Sequence, residues 1–440
     1  MVFEINVLTI LVMAGVGAIS AYLANQNVAV FHDGLRPMYG PYLNGDMDRK
    51  TLFATSFALS IGLIVGLGLP VSIAGGIILI HTILLACDIF GTMFKENKRG
   101  LFLSTALGAV FGISLLFGMQ GIITVFELLP VKFLGSLGTV GSLIIILFCV
   151  FPAIAVAIQT NAKTGIIVLA LTMLVRHGIV FINVNHTIRT SAGAVVPLNA
   201  DGMALLFSII AMVVVAIRSS KKATGSAVEA FKVFEKNIDR IKKNLILLAL
   251  AGGLIAIATT LLLVAEGPGS LTLTAEGKYN EGMLVALGRF IGFIPLVMTT
   301  AIISGVYSPA GTKAIHVPAI LLINAGIIGL VGSFVIGALI MIIEILLLGF
   351  IAKGLDRFPG MKDLGDNVRT SMSKVLDLAL LVGGMMAAHA IAPTIGYIWV
   401  VGLYFLNMQT KKPVPTMAIG PLGAISIGLI VNILHLIRFF

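Results

Sequence analysis

Charge is scarce in this 440-residue chain: Asp, Glu, Lys and Arg make up 11% of it, against roughly 25% in an average soluble domain. Hydrophobic residues make up 58%, and mean hydropathy is +1.09. That excludes a protein folded in water. Cysteine is nearly missing; Cys87 and Cys149 both fall in apolar runs and are expected as small buried hydrophobes, not as a disulfide or a metal pair. No H-E-x-x-H, P-loop, G-x-S-x-G or C-x-x-C occurs, so the common zinc, nucleotide, acyl-transfer and redox sites find no support. The expectation is a protein that is not an enzyme and uses no cofactor and no metal. Short alternating strands are lacking too, since stretches such as 141–158 are apolar on every face. A transmembrane β-barrel is excluded.

What the chain has instead is a succession of uncharged runs near the ~20 residues that a helix needs to cross a bilayer. They lie at about 5–24, 52–69, 71–94, 101–126, 140–158, 164–182, 202–217, 245–265, 282–306, 317–352, 375–408 and 416–437. The fold class is therefore all-α, a polytopic helical membrane protein of about 12 hydrophobic segments. The first run, with no Lys or Arg before it, is expected to be a retained span and not a signal peptide. Two runs, 317–352 and 375–408, are long for one crossing and short for two, with breakers at Gly332-Ser333 and Ala392-Pro393-Thr394. Broken or re-entrant, hairpin-like segments are expected there, and such breaks point toward a solute pathway.

The formal net charge of +10 would suggest nucleic acid in a soluble protein; here the positive-inside rule accounts for it. Placing 33–50, 95–100, 161–163, 218–244, 308–316, 353–374 and 409–413 in the cytoplasm captures 23 of the 29 Lys and Arg and leaves the N-terminus outside. The basic stretch 218–244 reads as a surface helix drawn to anionic headgroups. It separates an N-terminal transmembrane half, 1–217, from a C-terminal half, 245–440. An echo of Gly45-Asp46-Met47-Asp48-Arg49-Lys50-Thr51 in Gly365-Asp366-Asn367-Val368-Arg369-Thr370 suggests structural repeats at an offset near 320 residues. Inverted repeats are common in transporters.

An ionisable residue at mid-bilayer costs about 2.5–3.5 kcal/mol or more unless paired or hydrated, so the few inside the runs are informative. His81 and Asp88 lie two helical turns apart, nearly on one face; Arg176 and His177 interrupt one apolar run, Arg289 another, and Glu344 and His389 sit in the two long broken runs. Two readings stand for Arg176, Arg289 and Glu344. One arginine and Glu344 could form a buried pair that fixes packing. Alternatively an arginine receives a carboxylate or phosphate of the substrate, while Glu344 or Asp88 carries a coupling proton. Two arginines against one mid-span carboxylate favour an anionic solute. The substrate-binding candidates are Arg176, His177, Arg289, Asn324, Glu344 and His389; the coupling or gating candidates are Asp33, Arg36, His81, Asp88 and Asp201. Polar clusters at 31–50, 183–202 and 307–313 are denser than plain connectors require.

Asp33-Gly34-Leu35-Arg36-Pro37, then Leu43-Asn44-Gly45-Asp46-Met47-Asp48-Arg49-Lys50 and Ala54-Thr55-Ser56-Phe57-Ala58-Leu59-Ser60, lead to Gly66-Leu67-Gly68-Leu69-Pro70. In these motifs, and in Lys411-Lys412-Pro413 before the last run, the chain resembles the YhfT family of bacterial inner-membrane proteins. The likeness covers nearly the whole length. It implies a bacterial inner membrane and solute transport, and it supplies neither a substrate nor binding residues.

The expectation is a secondary active transporter of a small polar organic solute, an anion by the charge count, working by alternating access of an elevator type in a homodimer. Its partners would be that small-molecule substrate and the lipid bilayer, with no nucleic acid. The alternatives are a phosphotransferase-system-like membrane subunit, an intramembrane enzyme acting on a lipid-linked substrate through Asp33, His186 and Asp201, and a channel.

Overall fold

Without water, long apolar runs can satisfy their backbone polar groups only as helices or closed barrels, and this chain is helical almost throughout. The computed structural model describes residues 4–32, 34–185, 200–219, 227–309, 313–357, 360–410 and 414–438. Of the positions singled out above, Asp33, His186, residues 187–199, 310–312 and 411–413 lie outside the described residues.

In chain order the first elements are α1 (Val7–Asn25), α2 (Arg36–Asn44), α3 (Arg49–Leu63), α4 (Leu69–Gly75), β1 (Ile78–Leu79), α5 (Ile80–Met93), α6 (Lys98–Leu128) and α7 (Leu134–Phe148). A π-helical turn, Ile64–Gly68, joins α3 to α4. Then come α8 (Phe151–Gln159), α9 (Ala162–Asn185), α10 (Ala200–Arg218), α11 (Ala227–Lys242) and α12 (Leu245–Thr260). The chain closes with β2 (Val264–Ala265), α13 (Pro268–Ala275), α14 (Tyr279–Ser304), α15 (His316–Leu321), α16 (Gly326–Arg357), α17 (Gly360–Ile391), α18 (Ile395–Gln409) and α19 (Thr416–Leu436).

Among the described residues, seven helical stretches are long and apolar enough to cross a membrane, or up to eight if the bent pair Glu235–Lys242 and Leu245–Thr260 forms one span. Three further apolar helices are shorter: Ile80–Met93, Met203–Arg218 and Ile395–Gln409. The hydrophobic runs thus divide into full-length crossings and shorter pieces. Phe102, Leu128, Ile166, Leu174, Ile328 and Phe350 stand exposed on outward faces, a surface that lipid covers and water would not tolerate. The protein is an all-α polytopic membrane protein.

Local sequence sets several helix ends. Asn6 and Thr9 form a reciprocal capping box at the start of α1, and Asn97 accepts the Gly100 N–H at the start of α6. Asp48 caps α3, and its bonds from Thr51 hold its carboxyl below the usual carboxylate range. The two long runs are each a pair of helices. The break in 375–408 falls at 392–394, where Thr394 takes φ of 67°, as the Ala-Pro-Thr sequence suggests. In 317–352 the break lies at 322–325, before α16, and not at Gly332-Ser333. Those residues stay helical, and the Ser333 hydroxyl bonds Thr260 of α12, so the small pair serves helix packing.

Two units of the chain repeat one design. α1 packs antiparallel on α6, with Gly17 against the Gly108 carbonyl; α12 packs on α16 with Gly252 against the Gly337 carbonyl. Both contacts leave no room for a side chain. α1 ends in Asn27 with φ of 53° and runs into extended chain, as α12 ends in Leu262 with φ of 59° and runs into β2. α4 ends in left-handed Gly76 before β1, and α14 ends in left-handed Gly305 before a bridge at Tyr307. Gly17, Asn27 and Ala29 are separated from Gly252, Leu262 and Val264 by one constant interval. Gly76, Ile78 and Gly108 are separated from Gly305, Tyr307 and Gly337 by a second, slightly shorter one. The echo near an offset of 320 has no structural counterpart, since Gly45 ends a helix whereas Gly365 lies inside α17.

The units are inverted. Arg240, at the corner leading into α12, donates to the Asn27 carbonyl at 3.1 Å, so α12 starts where α1 finishes.

Each unit also holds a re-entrant hairpin. The Asn25 side chain donates to Gly91 at the end of α5, and the chain then turns inward until Phe31 and His32 meet Asp88, about one turn back along α5. α2 returns to the starting level, where Tyr42 bonds Glu96 and Arg49 donates to Gly91 at 2.7 Å. Residues 263–275, an extended stretch followed by α13, are the counterpart in the second unit. The re-entrant elements therefore lie in 28–44 and 263–275, where apolar residues are interrupted by Gly, Pro and polar residues too often to form a hydropathic span.

Candidate functional site

The two hairpins meet at a pair of extended crossings. β1 runs parallel to β2, with Ile78 opposite Val264 and Leu79 opposite Ala265. Its inverted twin is the parallel bridge between Ala29 and Tyr307, closed by Val30 N–H to Tyr307 at 2.8 Å and Tyr307 N–H to Val28 at 3.1 Å. Each unit thus lends one strand to the other, and polar backbone inside an apolar bundle is satisfied by its symmetry mate.

Around this crossing lie the buried Lys, Arg, Asp and Glu side chains among the described residues: Arg36, Arg289 and Lys313 against Asp88, Glu266 and Glu344. Three cations face three carboxylates. Asp88 accepts the N–H groups of Phe31 at 3.0 Å and His32 at 2.7 Å, so it ties the first hairpin to α5. Glu266, just after β2, lies 3.4 Å from the Arg289 Nε of α14. The Tyr307 hydroxyl donates to Glu344 of α16. Lys313 Nζ is 3.0 Å from His81 Nε2, and His316 Nδ1 is 2.8 Å from the Thr259 hydroxyl.

Beside the crossing opens a cavity of about 550 Å³, within the ~300–1,000 Å³ usual for small-molecule sites. His32 and Gly34 of the first hairpin, Ala58 and Leu59 of α3, His81 and Leu85 of α5, Thr370 and Lys374 of α17, and Met417 of α19 line it. No carboxylate is among the described lining residues.

The positions read from sequence separate accordingly. Arg36, His81, Asp88, Arg289 and Glu344 come together at the crossing. Arg176 lies apart on α9, paired with Asp201 of α10 at 2.7 Å, and neighbouring His177 is exposed. Asn324 is exposed in the turn before α16, with φ of 73°. His389 stacks on Tyr397 with ring centroids 4.3 Å apart and accepts the Thr394 N–H, so it holds the 392–394 break. Cys87 and Cys149 are free and buried. The excess of buried arginine that favoured an anion disappears, because Arg176 and Arg289 each have a carboxylate. His32, Tyr307 and Lys313 fall in the polar clusters at 31–50 and 307–313, whereas Glu266, His316 and Lys374 stand out by no motif in the sequence.

No solved structure matches the chain. An uncharacterized protein of Escherichia coli (strain K12), YhfT, is 29% identical over 447 residues, spanning 98% of each chain. The sequence pattern of the family described as "YhfT: Protein of unknown function" matches residues 9–440. With its two interlocked units, the chain belongs to the YhfT family.

Proposed function

We propose that the protein is a secondary active transporter of a small polar organic solute, working by alternating access in a bacterial inner membrane with its N-terminus outside. The observation that carries this reading is the pair of inverted hairpins whose extended strands cross next to a cavity and a buried charge cluster. Interrupted backbone at such depth is tolerated where it lines a solute path, and inverted repeats supply two conformations of similar energy that open to opposite sides. The cluster of Arg36, Arg289, Lys313, Asp88, Glu266 and Glu344 carries no surplus charge when all six are ionised. A solute anion entering it alone would be electrostatically costly, so an accompanying proton or cation is favoured.

Uptake by the purified protein in proteoliposomes, with and without an imposed proton gradient, tests the reading. Gradient-dependent accumulation is expected, abolished by Arg289→Ala and strongly reduced by Glu344→Gln. Full transport by both variants and by Arg176→Ala would remove the crossing from the pathway. Product formation without a gradient would turn the assignment to an enzyme.

A further inference from the structure

The cavity beside the crossing has a chemistry of its own. Its walls are largely apolar, from Leu59, Leu63, Leu85, Met372 and Met417, while its polar groups are His32, His81, Thr370 and Lys374. Lys374 is exposed on α17 and lines the space directly. His81 is backed by Lys313 Nζ at 3.0 Å. With Lys313 as an ammonium, that bond takes up the Nε2 lone pair, which leaves the imidazole as a donor through Nδ1–H and places a buried positive charge behind it. His32 is fixed from two sides, its Nδ1 accepting the Gly34 N–H at 2.9 Å and its own backbone N–H donating to Asp88.

We propose that this cavity binds the carboxylate of an amphipathic organic acid, with Lys374 and His81 receiving the carboxylate and the α3, α5 and α19 walls burying an apolar body. The inference rests on the transport reading for its purpose and on the cavity alone for its chemistry. A phosphate or sulfate would find cationic groups on one side and an apolar wall on the other, leaving oxygens without donors. A monocarboxylate with an aliphatic or aromatic body matches both. The volume of about 550 Å³ leaves room for a body of several methylenes, and burying each one favours binding.

The test is calorimetric titration of the full-length protein in detergent with straight-chain acids from acetate to octanoate and with the matching primary amides. Affinity should rise with chain length, and each amide should bind at least about tenfold more weakly than its acid. Lys374→Gln and His81→Gln should each weaken acid binding about tenfold. Ala58→Phe, which fills the space without touching a charge, should abolish binding while the unfolding midpoint stays near wild type. Lys278→Gln, at an exposed pair with Glu276, should bind as wild type does. Amides equal to acids, no acid binding at millimolar concentration, or unchanged binding by both Lys374→Gln and Ala58→Phe would each overturn the proposal. The two readings fail separately. Acids that bind as described but never accumulate in proteoliposomes sink the transporter and keep the cavity. Gradient-driven uptake of an uncharged or cationic solute by a fully active Ala58→Phe variant does the reverse.

Discussion

Asp88 shows how a buried carboxylate in this protein works against the cost of its own burial. It accepts two backbone N–H groups of the first hairpin, from Phe31 and His32. Asp88→Ala should leave both donors orphaned and lower stability by about 2 kcal/mol or more, read as a fall in the thermal unfolding midpoint, whereas Asp88→Asn keeps one acceptor and should fall less. Arg289 and Glu266 pose the complementary case. Either Arg289→Gln or Glu266→Gln alone abandons a buried charge and should cost about 3–5 kcal/mol. The double variant should cost much less than the sum of the two, and simple additivity in that cycle would show that the pair is not coupled.

At the scale of elements, glycine decides how closely the helices of each unit approach. Gly17 on Gly108 and Gly252 on Gly337 are backbone-to-backbone contacts, and in lipid, where apolar surface gains nothing by leaving its solvent, such close packing replaces the hydrophobic effect. Gly17→Leu and Gly252→Leu should therefore each destabilise the protein by about 1–3 kcal/mol. Because the two sites are equivalent positions of the repeat, their unfolding midpoints should fall by similar amounts; a large effect at one and none at the other would undo the equivalence. Arg49 works on the same scale, tying α3 to the end of α5 through Gly91 and to Tyr42 and Glu96, so the first hairpin is anchored at its outer end as Asp88 anchors its tip.

For the whole molecule, the inversion makes a geometric demand that labelling can check. α1 and α12 run in opposite senses, so in a cysteine-free background a cysteine at residue 4 and one at residue 278 should react with an impermeant reagent from outside intact cells. A cysteine at residue 243 should react only after the membrane is opened. Reaction of residues 4 and 243 from the same side would contradict both the inverted arrangement and the orientation read from the positive charges. Arg240 reaching Asn27 and Asn237 reaching Ile302 place the basic α11 over one end of the crossing, where it links the two units.

The sequence by itself determined the class of this molecule. Low charge, long uncharged runs and the distribution of Lys and Arg leave only a helical membrane protein, because backbone in lipid has few ways to bond and a charge in lipid costs too much to be scattered. The Ala392-Pro393-Thr394 break was legible for the same local reason, since proline cannot continue a helix. The re-entrant hairpins were not legible. Residues 28–44 and 263–275 mix apolar residues with polar and turn-forming ones, and hydropathy finds no span in a stretch that is short and interrupted. The pairing of Arg289 with Glu266, of Lys313 with His81 and of Tyr307 with Glu344 joins residues whose distance along the chain carries no periodic signal. Only the tertiary structure, by folding two inverted units through one another, brought those charges to a single place and balanced them.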